Sequence, residues 1–299
     1  MKMLQKALEN ISVENHSTIL RRSAGIPPTI IAILRAEPAI IKANRAYNRK
    51  PGCEPRSEET ELLNKTLEFL LAQVEQPAQR EDTKIHALNI MKAIFSDALL
   101  RHDARTYISR AMILSMEEFQ SDNWSIRNSA LMCFTALIKR LLDDFHIQEQ
   151  NLGKKRGFSI CDLLTRYDGL LKYFTGKLAE CKSGSGKLKK EEKDKQDLAI
   201  FSILLLTSRL VPFSWAHQDE EKLAQGNDLR AELFQRPEVR EQLDTLVQLI
   251  KSYSDSGTYF VRKISAQALL PLLQFGSYIP EVTSCCKALV ERAQQKDLR

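Results

Sequence analysis

Two adjacent guanidinium groups running into a break in the chain are the residues here best suited to chemistry. In Leu20-Arg21-Arg22-Ser23-Ala24-Gly25-Ile26-Pro27-Pro28, Arg21 and Arg22 precede small residues, a glycine and two prolines. A helix approaching Arg22 is expected to end near Gly25, which takes positive φ readily, and Pro27 and Pro28 lack the N–H needed to continue it. The arginines then stand on a last helical turn before a rigid corner. In that place they either stabilise the helix C-terminus through its dipole, a common use of cations, or hold two planar forks toward an anionic ligand such as phosphate. A second basic stretch follows in Lys42 to Arg56, which holds five basic residues and one acid. Its Pro and Gly content reads as a loop. A solvated connector is the plain reading, and Arg45, Arg49 and Lys50 are the secondary candidates for phosphate contact.

Other constellations point away from catalysis. The six cysteines are scattered with no C-x-x-C pair, and the five histidines do not fall at zinc-ligand spacing beside them, so neither a metal site nor a disulfide framework is expected. Most thiols read as reduced core residues. Gly184-Ser185-Gly186-Lys187 lacks the first glycine and the preceding strand of a phosphate loop. No glycine-rich cofactor turn or nucleophile elbow occurs, so no cofactor is expected and an enzyme is not. Asp143-Asp144 reads as an acidic pair at a helix end. The net charge of +6 is compatible with nucleic acid or acidic protein surfaces without selecting either. Leu198 to Leu206, the longest apolar run, is about half of what a bilayer span needs, and Met1 to Lys6 lacks a signal peptide's apolar core; no membrane association and a cytoplasmic location are the expectation.

The elements that must position the arginines are helical. With 43% hydrophobic and 27% charged residues the chain has the composition of a long-helix protein. Apolar stripes at helical spacing predict helices over Ile30 to Ile41 with a bend at Pro38, Ser57 to Gln76, Thr83 to Phe95, Arg101 to Phe119, Trp124 to Leu142, Ser159 to Cys181 loosened at Gly169, Gln196 to Leu210, Pro237 to Tyr253, Gly257 to Gln274 and Pro280 to Gln294. Gln148 to Gly157 reads as a basic break. Short connections between such helices predict an all-α, HEAT/armadillo-like α-solenoid of antiparallel helix pairs, one domain over 1–299, with a flexible charged loop at about 182–195. Internal echoes support repeats. Leu20-Arg21-Arg22-Ser23-Ala24, Ile126-Arg127-Asn128-Ser129-Ala130 and Val261-Arg262-Lys263-Ile264-Ser265-Ala266 each place an arginine between an aliphatic and a small residue, with a weaker echo at Thr83 to Ala87. The step from Ala87 to Ala130 matches the roughly 40–47-residue period of such repeats. Arg127 and Arg262 read as structural, members of a polar ladder between repeats. Trp124 and Trp215 read as core anchors beside helix ends.

The segment Arg21 to Pro27, RRSAGIP, resembles the RRSAGLP signature of the thyroid adenoma-associated family, the tRNA (32-2′-O)-methyltransferase regulators, with Ile26 in place of leucine. Asp122 to Met132 resembles that family's Trp-x-hydrophobic-Arg-Asn-Ser-Ala block. Two motifs in order cover approximately residues 15 to 145. Because family members are several times longer, the chain looks like a carboxy-terminal piece or short form. The resemblance implies a non-catalytic subunit that presents tRNA to a partner 2′-O-ribose methyltransferase of another fold, with Arg21, Arg22, Ser23, Ala24, Gly25, Ile26 and Pro27 as the functional motif. A HEAT-type protein-interaction scaffold without RNA is the alternative.

Overall fold

The computed structural model describes residues 25–47, 61–100, 103–150, 158–167, 169–183, 190–211, 236–272 and 287. Contacts group the chain into two units, Met1–Asp144 with Lys189–Ala199, and Phe145–Leu188 with Ile200–Arg299. The described residues are all-α with no strand; Ser159 and Val211 form an isolated parallel bridge.

In the first unit α1 (Ile26–Tyr47) is followed by α2 (Glu61–Glu75), α3 (Glu81–Ser96), α4 (Ile108–Glu117) and α5 (Trp124–Gln150). Apolar side chains at three- and four-residue steps bury one face of each. In α2 these are Leu63, Leu67, Leu70, Leu71 and Val74; in α3 they are Ala87, Leu88, Ile90, Met91, Ile94 and Phe95. Helix α3 packs on both α1 and α2, and α4 packs on α2. Helices α3 and α5 run side by side in one direction. Asn123 Nδ2 donates to Glu81 at 2.7 Å at their beginnings, and Arg140 Nε donates to the Phe95 carbonyl at 2.9 Å where α3 ends. Each helix thus rests on its near neighbours in the chain, which is solenoid packing.

Several boundaries differ from the sequence reading. Pro27 and Pro28 lie in the first turn of α1, which starts four residues ahead of the expected Ile30; the helix expected to approach Arg22 lies outside the described residues. First-turn N–H groups have no intrahelical acceptor, so prolines there forgo nothing. Helix α1 passes through Pro38 and includes Lys42 to Tyr47, the start of the expected loop, because no glycine interrupts it. Residues 101–120 are not one helix: 3₁₀ turns at Asp103–Tyr107 and Glu118–Gln120 flank α4. The second of these turns Phe119 inward against Phe134, ring centroids 5.5 Å apart, edge to face. Helix α5 runs past Leu142 to Gln150, since the next breaker is Gly153; Asp143 and Asp144 are therefore mid-helix.

In the second unit α6 (Ile160–Arg166) begins at a capping box in which Ser159 and Asp162 are buried and bond each other reciprocally. Gly169, at φ +82°, separates it from α7 (Leu170–Ser183). Thus the expected single helix from 159 to 181 is two. Helix α8 (Lys190–Ser208) begins in the first unit and ends in the second. Both ends of the stretch expected as a charged loop are helical: Lys182 and Ser183 close α7 and Lys190 to Lys195 open α8, while 184–189 lie outside the described residues. The lysines and glutamates of that stretch are good helix formers. Helix α9 (Pro237–Ser252) starts on Pro237 as expected, packs on α7, and is pinned there by the Tyr253 hydroxyl donating to the Leu178 carbonyl at 2.6 Å. A 3₁₀ turn, Tyr253–Asp255, leads to α10 (Tyr259–Leu269). The expected helix Pro280 to Gln294 lies outside the described residues.

Candidate functional site

Of the arginine motif, Gly25, Ile26 and Pro27 are described; Arg21, Arg22, Ser23 and Ala24 lie outside the described residues, as do Arg49 and Lys50. Arg45 belongs to α1. Gly25 is exposed, has no left-handed φ, and nothing within 4 Å would meet a Cβ there. Thr29 Oγ1 donates to its carbonyl at 2.7 Å.

Helix α1, directly behind the motif, is held at four points. Ile30 and Leu34 are fully buried. One turn on, Arg35 donates from Nε and Nη2 to Asp97 Oδ2 at 2.9 and 2.5 Å. Glu37 Oε1 accepts from the Leu62 N–H at 2.9 Å and so caps the start of α2 from a different helix. Asp97 is the centre of this arrangement. Its other oxygen accepts from the N–H groups of Leu99 and Leu100 at 2.9 and 3.1 Å, and its backbone carbonyl accepts from Arg140 Nη2 at 2.7 Å. Burial pushes the Asp97 carboxyl up, but Arg35 and the two N–H groups outweigh it and the net shift is downward. For Glu37 burial dominates, and its carboxyl is raised despite the Leu62 and Leu63 N–H groups. Two arginines from α1 and α5 therefore meet at the negative end of α3. The sequence reading missed both, since their partners lie 62 and 43 residues away in the chain.

The second motif forms a tight turn ahead of α5. Ser121 stands at φ −54°, ψ 142°, its Oγ accepting from Asn123 N at 3.3 Å; Asn123 Oδ1 accepts from Ser125 N at 2.8 Å. Arg127 Nη1 reaches back to the carbonyls of Ser121 and Asp122 at 2.7 and 2.9 Å. Asp122 pairs with Lys195, which lowers its carboxyl pKa. The turn ahead of α10 repeats this construction. Ser256 stands at φ −54°, ψ 140°, accepts from Thr258 N at 3.2 Å, and its carbonyl receives Arg262 Nη1 at 2.6 Å. Arg127 and Arg262 are structural as expected, but each clamps its own preceding turn rather than bridging repeats. Trp124 corrects the expectation of a core anchor: it is 68% exposed, because the first helical position of α5 points away from the buried row Ile126, Ala130, Cys133, Phe134 and Leu137. Trp215 lies outside the described residues.

Other polar clusters hold helices together. Arg110 bridges Glu68 and Glu75 of α2, and Glu75 and Glu68 in turn raise its pKa. Lys84 pairs with Glu118 at 2.5 Å. Cys133 and Cys181 are buried and in no disulfide, the Cys133 thiol pushed up to about 12 by burial. Among the described residues no group of His, Cys, Asp or Glu is arranged to hold a metal ion, and no helix is long and apolar enough to cross a membrane.

Two family profiles account for nearly all of the chain: "THADA/TRM732, DUF2428" over residues 1–125 and "Trm732, C-terminal TPR repeats" over 127–298. A Schizosaccharomyces pombe protein named tRNA (32-2′-O)-methyltransferase regulator trm732 is 30% identical over 212 residues, 68% of this chain and 13% of its own length. Regulators named THADA give 27% identity in Gallus gallus, over 70% of this chain and 10% of the relative, and 32% in Homo sapiens, over 46% and 6%. The chain thus spans roughly a tenth of the length of the relatives it matches. No solved structure gives a significant match.

Proposed function

The chain belongs to the THADA/Trm732 family, and from that membership we propose that it is a non-catalytic subunit presenting tRNA to a 2′-O-ribose methyltransferase. The observation that carries the proposal is the anchoring of α1. The helix that begins inside the arginine motif is tied to α3 through Arg35 and Asp97 and to α2 through Glu37, so whatever the motif grips is gripped from a fixed base. Arg21 and Arg22 are assigned to tRNA phosphates, with Ser23 to Pro27 setting their course and Arg45, Arg49 and Lys50 as auxiliary cations. The methyl donor and the reacting ribose belong to the partner enzyme. We read the helix pairs as HEAT/armadillo-like by their spacing, although the carboxy-terminal profile carries the TPR description. We place the action in the cytoplasm, where a fluorescently tagged chain should be found.

A tRNA mobility titration across a salt series tests the reading. Binding that falls steeply with salt is expected, because phosphate contacts release counterions. Absent or salt-insensitive binding, with the partner methyltransferase still captured, would leave the protein-scaffold alternative in its place.

A further inference from the structure

The turns ahead of α5 and α10 are two copies of one device that presents an exposed aromatic ring. They match position by position: Ser121 and Ser256, Asn123 and Thr258, Trp124 and Tyr259, Ile126 and Val261, Arg127 and Arg262. In each, the aliphatic residue is buried, the arginine clamps the turn, and the aromatic is left outside, Trp124 at 68% and Tyr259 at 61% exposure. Large rings are ordinarily covered in a stable fold. Here the same position is uncovered in both units on a turn that its own arginine clamps; beside Tyr259 the Phe260 ring is exposed as well, 5.7 Å away between centroids.

We propose that Trp124 and Tyr259 are stacking platforms for unpaired RNA bases, each acting within its own unit. This rests on the tRNA-binding reading above and names further residues for it. Three observations favour RNA over a protein partner. A ring on a clamped turn is preorganised, so stacking orders little that is not already ordered. The charge is complementary near the rings: from Trp124 to Ala136 α5 carries Arg127 and no acid, its acids Asp143, Asp144 and Glu149 lying in the far half of the helix, and α10 carries Arg262 and Lys263 and no acid, whereas α2, α3 and α9 have acids in their first turns. Of the acids near the first turn, Asp122 is paired with Lys195 and Glu81 accepts from Asn123. Lastly, the apolar residues that would extend a protein-docking face are not repeated. Exposed Leu131 and Met132 follow Trp124 along α5, but the matching positions in α10 are Ala266 and Gln267, and exposed Phe260 and Leu270 of the second unit have Ser125 and Thr135 as counterparts. Only the ring and the arginine recur. Arg262 also lies 5.9 Å from the Tyr259 ring centroid, which steadies that ring.

The experiment uses the full chain with Trp215→Phe, so that tryptophan emission comes from Trp124 alone. Single-stranded RNA and tRNA should quench that emission on binding, and a blunt double-stranded RNA of equal charge should not. Trp124→Ala should weaken single-strand binding by about 5- to 150-fold at unchanged melting temperature, and Trp124→Phe should restore most of it. Tyr259→Ala should act in the same direction. RNA binding with no quenching and no loss in Trp124→Ala overturns the platforms while leaving the tRNA-binding reading intact. Absence of all RNA binding removes both. Quenching by the methyltransferase but not by RNA overturns the proposal in favour of a protein contact.

Discussion

Asp97 and Glu37 are two buried carboxylates within reach of α1 whose charges have opposite consequences. Folding lowers the pKa of Asp97, so its contribution is complete above the unfolded carboxylate value of about 4 and is lost as pH falls through the lower folded value. Folding raises that of Glu37, so the stability linked to its proton is present below the unfolded value and lost as pH rises through the folded one, and its charged form carries a cost in the fold. Asp97→Ala is therefore expected to destabilise the first unit by about 1–3 kcal/mol at pH 7, with a smaller gap to the parent below about pH 4. Arg35 is half exposed and solvent screens its charge, so most of that loss comes from the N–H groups of Leu99 and Leu100 left without an acceptor. Glu37→Gln keeps the acceptor for Leu62 and removes the buried charge, and its melting temperature at pH 7 should equal or exceed the parent's. A marked fall would mean that the start of α2 needs the negative charge itself. Gly25 gives a third forecast at this scale. With ordinary φ and open space around it, Gly25→Ala should leave thermal stability unchanged or raise it by up to about 1 kcal/mol. A loss of tRNA binding in that stable variant would show that the motif needs a glycine for close approach of its ligand rather than for its own backbone.

At the scale of elements, local chemistry marked starts and breaks where it acts on its own neighbours. Pro237 at the start of α9 and Ser159 at the start of α6 were legible because a first-turn proline and a serine followed by Asp162 act within one turn. Pro27 and Pro28 were legible as a break but not as the opening of α1, because a proline pair fits a first helical turn as well as the stretch after a helix end. Gly169 was legible as a weak point but not as a break, since glycine in a helical pattern marks a breach only when its φ is positive. That conformation is now the basis of a test. Gly169→Ala puts a Cβ on left-handed backbone with no steric contact nearby, so the expected cost of about 1–2 kcal/mol is purely conformational. Urea unfolding followed by circular dichroism measures it, and an unchanged midpoint would mean that the α6–α7 turn relaxes freely. What no local pattern could reveal was the cluster at the end of α3. Asp97 looks like any short polar residue after an apolar run, and its arginines come from helices far away in the chain. The exposure of Trp124 was hidden for the same reason, because only the packing of α5 decides which side of the helix is covered.

For the whole molecule the question is whether the arginine motif works through a ligand or through the scaffold. Arg21 and Arg22 precede a helix that is already fixed by Ile30, Leu34, Arg35 and Glu37, so the scaffold has its anchors without them. Arg21→Ala with Arg22→Ala is accordingly expected to leave the melting temperature within about a degree or two of the parent, since substitutions away from packed features usually stay within about 0.5 kcal/mol. Each lost phosphate contact should weaken tRNA binding by about 1 kcal/mol or more and lower the salt slope by about one. Methylation supported by the partner enzyme should then fall to background. Arg35→Ala is the companion variant. It loosens α1 without touching the motif, so it should lower the melting temperature while keeping the salt slope, because no phosphate contact is removed. Melting, tRNA affinity over a salt series and methylation are measured on the same preparations, in the longest family chain that retains activity. Normal methylation by the double variant would end the assignment of Arg21 and Arg22 to the substrate. A double variant that behaves like Arg35→Ala, unstable but with the parent's salt slope, would place the two arginines in the scaffold instead.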